Sequence, residues 1–373
     1  MELMFISSVK SVYIHIPFCS NICSYCDFTK LYYNKNYIDK YLNTLKEEIE
    51  LNYKNEIIDT IYIGGGTPTS LNTQELNKLF EIIKIFKTNK NLEFTIECNI
   101  ENLTKEKLDL FKKNNINRLS IGIQTFNNKF LKYLNRNHTK EDVIEIIKYS
   151  KEIGFDNINI DLIYGLKGQT LKDLEEDINE FLKLDINHIS TYSLIIEPHT
   201  KLYIENEFNI DEELDLKMYE LICNKLKENN YIHYETSNFA KKGYESKHNL
   251  TYWNNLEYYG FGLGASGYID NIRYTNTKNI DKYLNKEFIL EKEVIDKKTN
   301  MENEMILGLR KLKGVNINKF KEKYNIDLKE AFDIEDLINS NKLIIEDDYI
   351  FINPNYIYLS NEILINFIGD ENE

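Results

Sequence analysis

The sequence predicts an α/β protein built on a partial (β/α)6 barrel. Three observations carry that prediction. Strand-like and helix-like patterns alternate through about six units before residue 200. Chemically unusual residues stand where those strands should end. After residue 200 the alternation gives way to an additional α/β segment and then to a small, mostly helical C-terminal domain. Such alternation predicts a parallel sheet with helices outside it. Six units are too few for a closed eight-stranded barrel, so an open or three-quarter barrel is expected, with functional groups at the carboxyl ends of its strands.

The elements follow in order. "SVYIHIP" at 11–17 reads as a strand, and "YIDKYLNTLKEEIELNY" at 37–53 as a helix. "DTIYIGGG" at 59–66 is a strand ending in three glycines. Helix signals recur at 73–87, 104–113, 141–153 and 170–184. Strand signals recur at 93–99, 117–123, 155–165 and 187–194. A helix is expected at 211–229, a strand and its exit at 231–240, and a glycine-rich aromatic stretch at 258–268, "YYGFGLGASGY". A helical segment starts at 302–312, and the tail holds short helices and a hairpin at 342–354. Three parts are expected: 1–200 for the partial barrel, 201–300 for its extension, and 301–373 for the C-terminal domain.

Composition narrows the class. Of 373 residues, 42% are hydrophobic and 13% aromatic, enough for a substantial core. The formal charge is -14, and only four of the 46 bases are arginine: Arg118, Arg136, Arg273 and Arg310. That balance argues against a nucleic-acid partner held by bulk electrostatics. Residues 1–12 lack the basic start and apolar run of a secretory signal. No apolar stretch is long enough to span a bilayer, so any membrane association would be peripheral. Five cysteines are too few for a disulfide framework, and a reducing cytoplasm is the expected location.

Three of the five cysteines share one short loop, as Cys19, Cys23 and Cys26 in "CSNICSYC". Thiolates select zinc, copper(I) or iron–sulfur clusters. Structural zinc wants four ligands, usually in two pairs. A cluster that only relays electrons would normally use four cysteines. Three thiolates between a strand and a helix therefore argue for a cluster with one iron left open to a ligand. Zinc or uncommitted thiols are the alternative.

"CSNICSYCDF" resembles the signature of the radical S-adenosylmethionine superfamily. "YIHIPFC", "IYIGGGTPT", "RLSIGIQTF", "NIDLIYGLKGQT" and "YETSNFA" are similar to the branch containing oxygen-independent coproporphyrinogen III oxidase and related haem chaperones. The likeness covers nearly the whole chain. It implies a radical S-adenosylmethionine barrel and a C-terminal domain of the kind found in that oxidase. It also implies a [4Fe-4S] cluster on Cys19, Cys23 and Cys26, with S-adenosylmethionine on the open iron and radical chemistry supplied by the cofactor. The implied cofactor contacts are Tyr13, Gly65, Gly66, Thr67, Glu97, Gln124, Arg136 and Asp161. Glycines let backbone approach a ligand. A carboxylate such as Asp161 can accept ribose hydroxyls, and Arg136 can clamp a carboxylate. The bland alternatives are a tight turn for the glycines, a salt bridge for Arg136 and a helix cap for Asp161.

Within that branch the oxidases carry a fourth nearby cysteine, where this chain has Phe28. They also carry an extension before the signature tyrosine, here already residue 13. "HNLTYW" at 248–253 resembles the haem chaperones, and His248 is the axial haem ligand that the likeness implies. A packed histidine is the alternative. The expected function is binding haem and passing it to an acceptor protein, with an electron donor and a homodimer both compatible with the sequence. Whether the chain is also an enzyme is left open. Porphyrinogen decarboxylation is one alternative and an RNA-modifying radical enzyme another, the latter disfavoured by the acidic charge.

Overall fold

Nine strands form one sheet in the computed structural model, which describes residues 9–205, 207 and 210–369. In chain order they are β1 (Ser11–Ile16), β2 (Ile57–Gly65), β3 (Lys87–Asn99), β4 (Arg118–Gln124), β5 (Asn157–Tyr164), β6 (His188–Ser193), β7 (Ile232–Glu235), β8 (Asn238–Ala240) and β9 (Tyr259–Phe261). The spatial order is β9-β1-β2-β3-β4-β5-β6-β8-β7. From β9 to β6 every pairing is parallel, and β8 and β7 then turn antiparallel. The two edges, β9 and β7, do not pair, so the barrel is open. The fold is α/β, as the alternation predicts.

The period-2 pattern of the strands explains the layering. In β1, Val12, Ile14 and Ile16 are fully buried beneath the helices. Leu119, Ile121 and Ile123 do the same in β4, and Ile158, Ile160 and Leu162 in β5. Burying one such side chain contributes about 1.5–3 kcal/mol. The alternate positions face the lumen and are polar: Thr60, Glu93, Thr95, Arg118, Ser120, Asn159, His188 and Ser190 are all buried. The crossover helices start where the sequence supplies caps. Asn72 with Glu75, Thr139 with Asp142, and Thr170 with Asp173 each form a capping box.

Several boundaries differ from the pattern reading. The helix expected over 73–87 ends at Ile83, and β3 begins at Lys87, six residues before the expected start. Residues there pair with Ile57 and Ile58 at the base of β2, and the register then slips. The strand and exit expected at 231–240 form a hairpin, because the chain turns at 236–237 and Ser237 carbonyl accepts from Thr191 of β6, so that the exit pairs as β8. The helix expected to open at 302 opens at Lys297. The C-terminal part is helical with a three-stranded sheet, Val315–Asn316, Tyr349–Ile352 and Leu343–Glu346, around its own apolar core. The signal-peptide expectation falls largely on residues 1–8, outside the described residues. No helix among the described residues is long and apolar enough to cross a membrane.

Two internal locks close the architecture. Glu48, on helix Lys35–Asn52, is buried and accepts from Gly262 N–H (2.9 Å), Asn276 Nδ2 (2.6 Å) and Tyr283 hydroxyl (2.6 Å). This fixes the glycine-rich aromatic stretch against the barrel. The second lock is helix Lys247–Trp253, whose residues reach into the lumen floor. Glu93 receives its first two N–H groups, from Lys247 (3.0 Å) and His248 (2.9 Å).

Burial pushes the Glu48 carboxyl up to about 7 from 4.5. The native state therefore holds its proton where the unfolded chain releases it. Its stability contribution is complete below about pH 4.5 and declines as pH rises to about 7. Glu48→Gln should flatten that decline relative to wild type in thermal melts across this range. Glu48→Ala strands three buried donors and should cost about 3 kcal/mol or more in denaturant unfolding.

Candidate functional site

The thiol loop leaves β1 at Pro17 and is held at several points. Phe18–Cys19 pairs in parallel with Leu31–Tyr32, which closes the loop on itself. Asn21 and Asn135 bond each other through both side chains and backbone: Asn21 Nδ2 donates to Asn135 carbonyl (2.7 Å), and Asn135 Nδ2 to Asn21 Oδ1 (3.1 Å) and Ile22 carbonyl (2.8 Å). Ser24 N–H donates to Leu134 carbonyl at 3.1 Å. His15 braces the far end, with Nε2 2.7 Å from Thr29 carbonyl and Nδ1 2.9 Å from Tyr13 hydroxyl. Burial lowers His15 to about 4, so the ring is neutral. It donates through Nε2–H and accepts at Nδ1.

Cys19, Cys23 and Cys26 all line one cavity of about 380 Å³ at the carboxyl end of the strands. Among the described residues, no three His, Cys, Asp or Glu side chains are arranged around a single metal ion. The thiolates of a cubane bind separate irons, so they need a shared cavity rather than a common point. Gly66 forms a cradle for the loop: a Cβ there would lie 2.7 Å from Pro17 carbonyl oxygen and 2.9 Å from Cys19 Sγ. Thr67 hydroxyl donates to Cys19 Sγ at 3.4 Å and accepts from Asn99 Nδ2 at 3.1 Å. At Gly65, φ is +113° and a Cβ would meet the His15 ring at 2.5 Å. Donor set and cradle both fit a cluster seated on this loop.

Glu97, Gln124 and Asp161 stand on the same cavity wall as Gly65, Gly66 and Thr67. Glu97 accepts from Tyr62 hydroxyl (2.8 Å) and Gly65 N–H (2.9 Å), and burial pushes its carboxyl up to about 7. Asp161 accepts from Asn159 Nδ2 at 2.8 Å, and burial pushes it up to about 6. Gln124 closes β4 with φ at +70°, a conformation non-glycine residues seldom take outside functional or turn positions. Its Oε1 is buried without a hydrogen-bond partner. A Cβ on Gly122 would lie 2.8 Å from Gln124 Nε2, so the glycine makes room for that amide.

Three expected contacts lie elsewhere. Arg136 is not on the cavity wall. Its Nε and Nη2 hold Glu101 in a fork at 2.7 and 2.8 Å, and Nη2 also donates to Gly122 carbonyl. The salt-bridge alternative accounts for Nε and Nη2, with the charge set beside Cys23 and Tyr25, while Nη1 is buried without a partner. Tyr13 also sits behind the wall, tilted against Tyr62 and bonded to His15. His248 corrects the haem-ligand expectation most plainly. It is 1% exposed, its Nδ1 bonds Thr60 hydroxyl at 2.8 Å, and its Nε2 bonds Tyr252 hydroxyl at 2.7 Å. Both nitrogens are taken, and the ring stacks on Tyr62, so it is a floor residue of the lumen and is not available as an axial ligand.

Sequence reasoning passed over Tyr62, Asn159, Tyr192 and Arg118, all on the cavity wall. A signal for the last was present. Arg118 shares its strand face with Ser120, Gly122 and Gln124 by strict alternation. Phe28, in place of a fourth cysteine, is 63% exposed at the cavity mouth.

Comparison with known proteins agrees with this geometry. The Radical SAM superfamily matches residues 13–181, and the HemN C-terminal domain matches residues 295–357. The solved structure of coproporphyrinogen III oxidase (HemN) from Escherichia coli superposes with a TM-score of 0.87, covering 98% of this chain and 91% of that one. At 20% identity this speaks to the fold alone. A protein named heme chaperone HemW from Lactococcus lactis is 41% identical over 97% of this chain and 98% of its own length. The HemW of Bacillus subtilis is also 41% identical, over 97% of this chain and all of its own. With an identity of that level sustained from end to end, and with the thiol loop, glycine cradle and cavity carboxylates in place, the chain belongs to the HemW family of radical S-adenosylmethionine proteins.

Proposed function

We propose that this protein is a haem chaperone, which binds haem and delivers it to an acceptor protein. The observation that carries this reading is end-to-end identity to HemW relatives together with Phe28 where the oxidases have a fourth cysteine. Cys19, Cys23 and Cys26 would hold a [4Fe-4S] cluster, with S-adenosylmethionine beside it in the cavity. When bound, that pair supplies one-electron chemistry. The chain's own residues position and shield. Gly65 and Gly66 keep side-chain bulk away from the thiol loop. Thr67 donates to the Cys19 sulfur. Gln124 offers an open carbonyl oxygen, and Asp161 a carboxylate suited to ribose hydroxyls. The haem acceptor, an electron donor, peripheral membrane contact and a homodimer belong to the same reading.

Anaerobic reconstitution should give about four irons per chain. Serine at any one of the three loop cysteines should lower that content, whereas Cys223→Ser should not. Gly66→Ala should lower it as well, because the added methyl crowds Cys19.

Asp161→Asn should weaken S-adenosylmethionine about tenfold in equilibrium dialysis while iron content holds, since a charged acceptor is lost. Wild-type affinity should fall as pH drops through about 6, where Asp161 takes up its proton. The variant should lack that step.

Reconstituted protein should bind haem and load an apo-acceptor, followed by the acceptor's absorbance. Supplied with S-adenosylmethionine and a reductant, it should not convert coproporphyrinogen III; repeated turnover would replace the chaperone reading with the oxidase one. His248→Ala should leave the haem spectrum unchanged and lower stability by about 2 kcal/mol, through two lost buried hydrogen bonds.

A further inference from the structure

Arg118 opens β4 inside the lumen and lines the cavity beneath the thiol loop. It is 1% exposed, the largest of the fully buried side chains among the described residues. Its guanidinium makes no hydrogen bond to protein, and its Nε is enclosed without a partner. No carboxylate among the described residues reaches ion-pair distance from it. Of the acids that line the cavity, Glu97 and Asp161 are committed to neutral donors, Glu97 to Tyr62 and Gly65, and Asp161 to Asn159.

The contrast with Arg136 is instructive. That buried guanidinium is neutralised by a two-point fork from Glu101 and by a backbone carbonyl. Buried charges in folded proteins are paired, because an unpaired one forfeits its hydration for nothing. Arg118 breaks that rule at a cavity wall, with its terminal nitrogens the ones left to the cavity. A planar fork in such a place matches a carboxylate, which two parallel N–H groups can hold. The surroundings are ready for such a guest: Ser120, Ser190 and Asn159 are polar neighbours on the same wall and carry no charge of their own.

We propose that Arg118 is the anchor for a carboxylate of the molecule that occupies this cavity. The proposal rests on the reading that the cavity takes S-adenosylmethionine or haem. Both carry the required group, as the methionine carboxylate in one and a propionate in the other. Arg118 then fixes how deep the ligand sits and which end points away from the cavity mouth.

The test uses the anaerobically reconstituted full chain, with Arg118→Gln and Arg118→Lys. One arm compares S-adenosylmethionine with its decarboxylated analogue by equilibrium dialysis. The other compares haem with haem dimethyl ester by absorbance titration. In the arm that applies, Arg118→Gln should weaken the carboxylate-bearing ligand at least tenfold. The blocked analogue should bind wild type and variant within twofold of each other, and Arg118→Lys should recover part of the loss. The ligand-free Arg118→Gln protein should melt no lower than wild type, because no internal partner is lost. A clear drop in that melt would make Arg118 a structural residue and overturn the proposal. Equal losses for parent and blocked ligand, or unchanged affinity for both parents, would overturn it too. Wild-type protein that binds S-adenosylmethionine but no haem would end the haem reading and leave the first arm to decide Arg118. Wild type binding neither would overturn both.

Discussion

The structure depends on one constraint: a parallel sheet whose outer face is apolar and whose inner face is polar. The outer face is routine, since isoleucines and leucines under helices supply the driving force for folding. The inner face is the demanding one. Every buried donor and acceptor in the lumen needs a partner, and an open barrel offers three kinds. Some pair among themselves, as Asn159 does with Ser120 and His188. Some are met from below, as Glu93 and Thr60 are by helix Lys247–Trp253. Others find no internal partner, and of these Gln124 Oε1 and Arg118 Nε stand on the cavity wall. Function in this fold is concentrated where internal pairing runs out.

The thiol loop illustrates the same economy at its other end. Its three cysteines do not hold their own positions. Asn21 and Asn135 lock it laterally, His15 braces its exit, and the bare backbone of Gly66 lets it lie close over β2. Positions well separated in sequence thus determine where three sulfurs sit. Arg136 belongs to this supporting set. Its ion pair with Glu101 stands beside Cys23, so it acts on the loop's electrostatics from behind the wall.

Much of this was legible in the sequence, for reasons that are physical. The strands were readable because their alternation is unusually clean, and the cavity because cysteines, glycines and carboxylates sit at strand ends. The thiol loop was readable from spacing alone. What escaped was whatever depends on a partner far along the chain. His248 carries a chemistry-bearing side chain in a suggestive motif, yet Thr60 and Tyr252 absorb both of its nitrogens. Arg136 fits a cofactor pattern, yet Glu101 takes its fork. Lys87 begins a strand because the base of β2 is there to pair with it, and local propensity gave no notice. Arg118 differs: alternation marks its lumen-facing position, but its lack of a partner is a vacancy in a hydrogen-bond network, which a sequence does not display.

Helix Lys247–Trp253 has a second set of ties. Trp253 lies under Arg310, Asn254 accepts from Lys311, and Asn255 donates to Asn300, all three in the chain that leads into the C-terminal core. The opposite face of the helix presses His248 and Thr251 into the lumen through Thr60 and Ser11. The helix is thus a piston whose rod is gripped by the C-terminal part and whose head is the barrel floor. The barrel floor and the C-terminal core are therefore tied twice, once through this helix and once through edge strand β7, where Leu312 N–H donates to Tyr234 carbonyl and Thr236 N–H donates to Arg310 carbonyl.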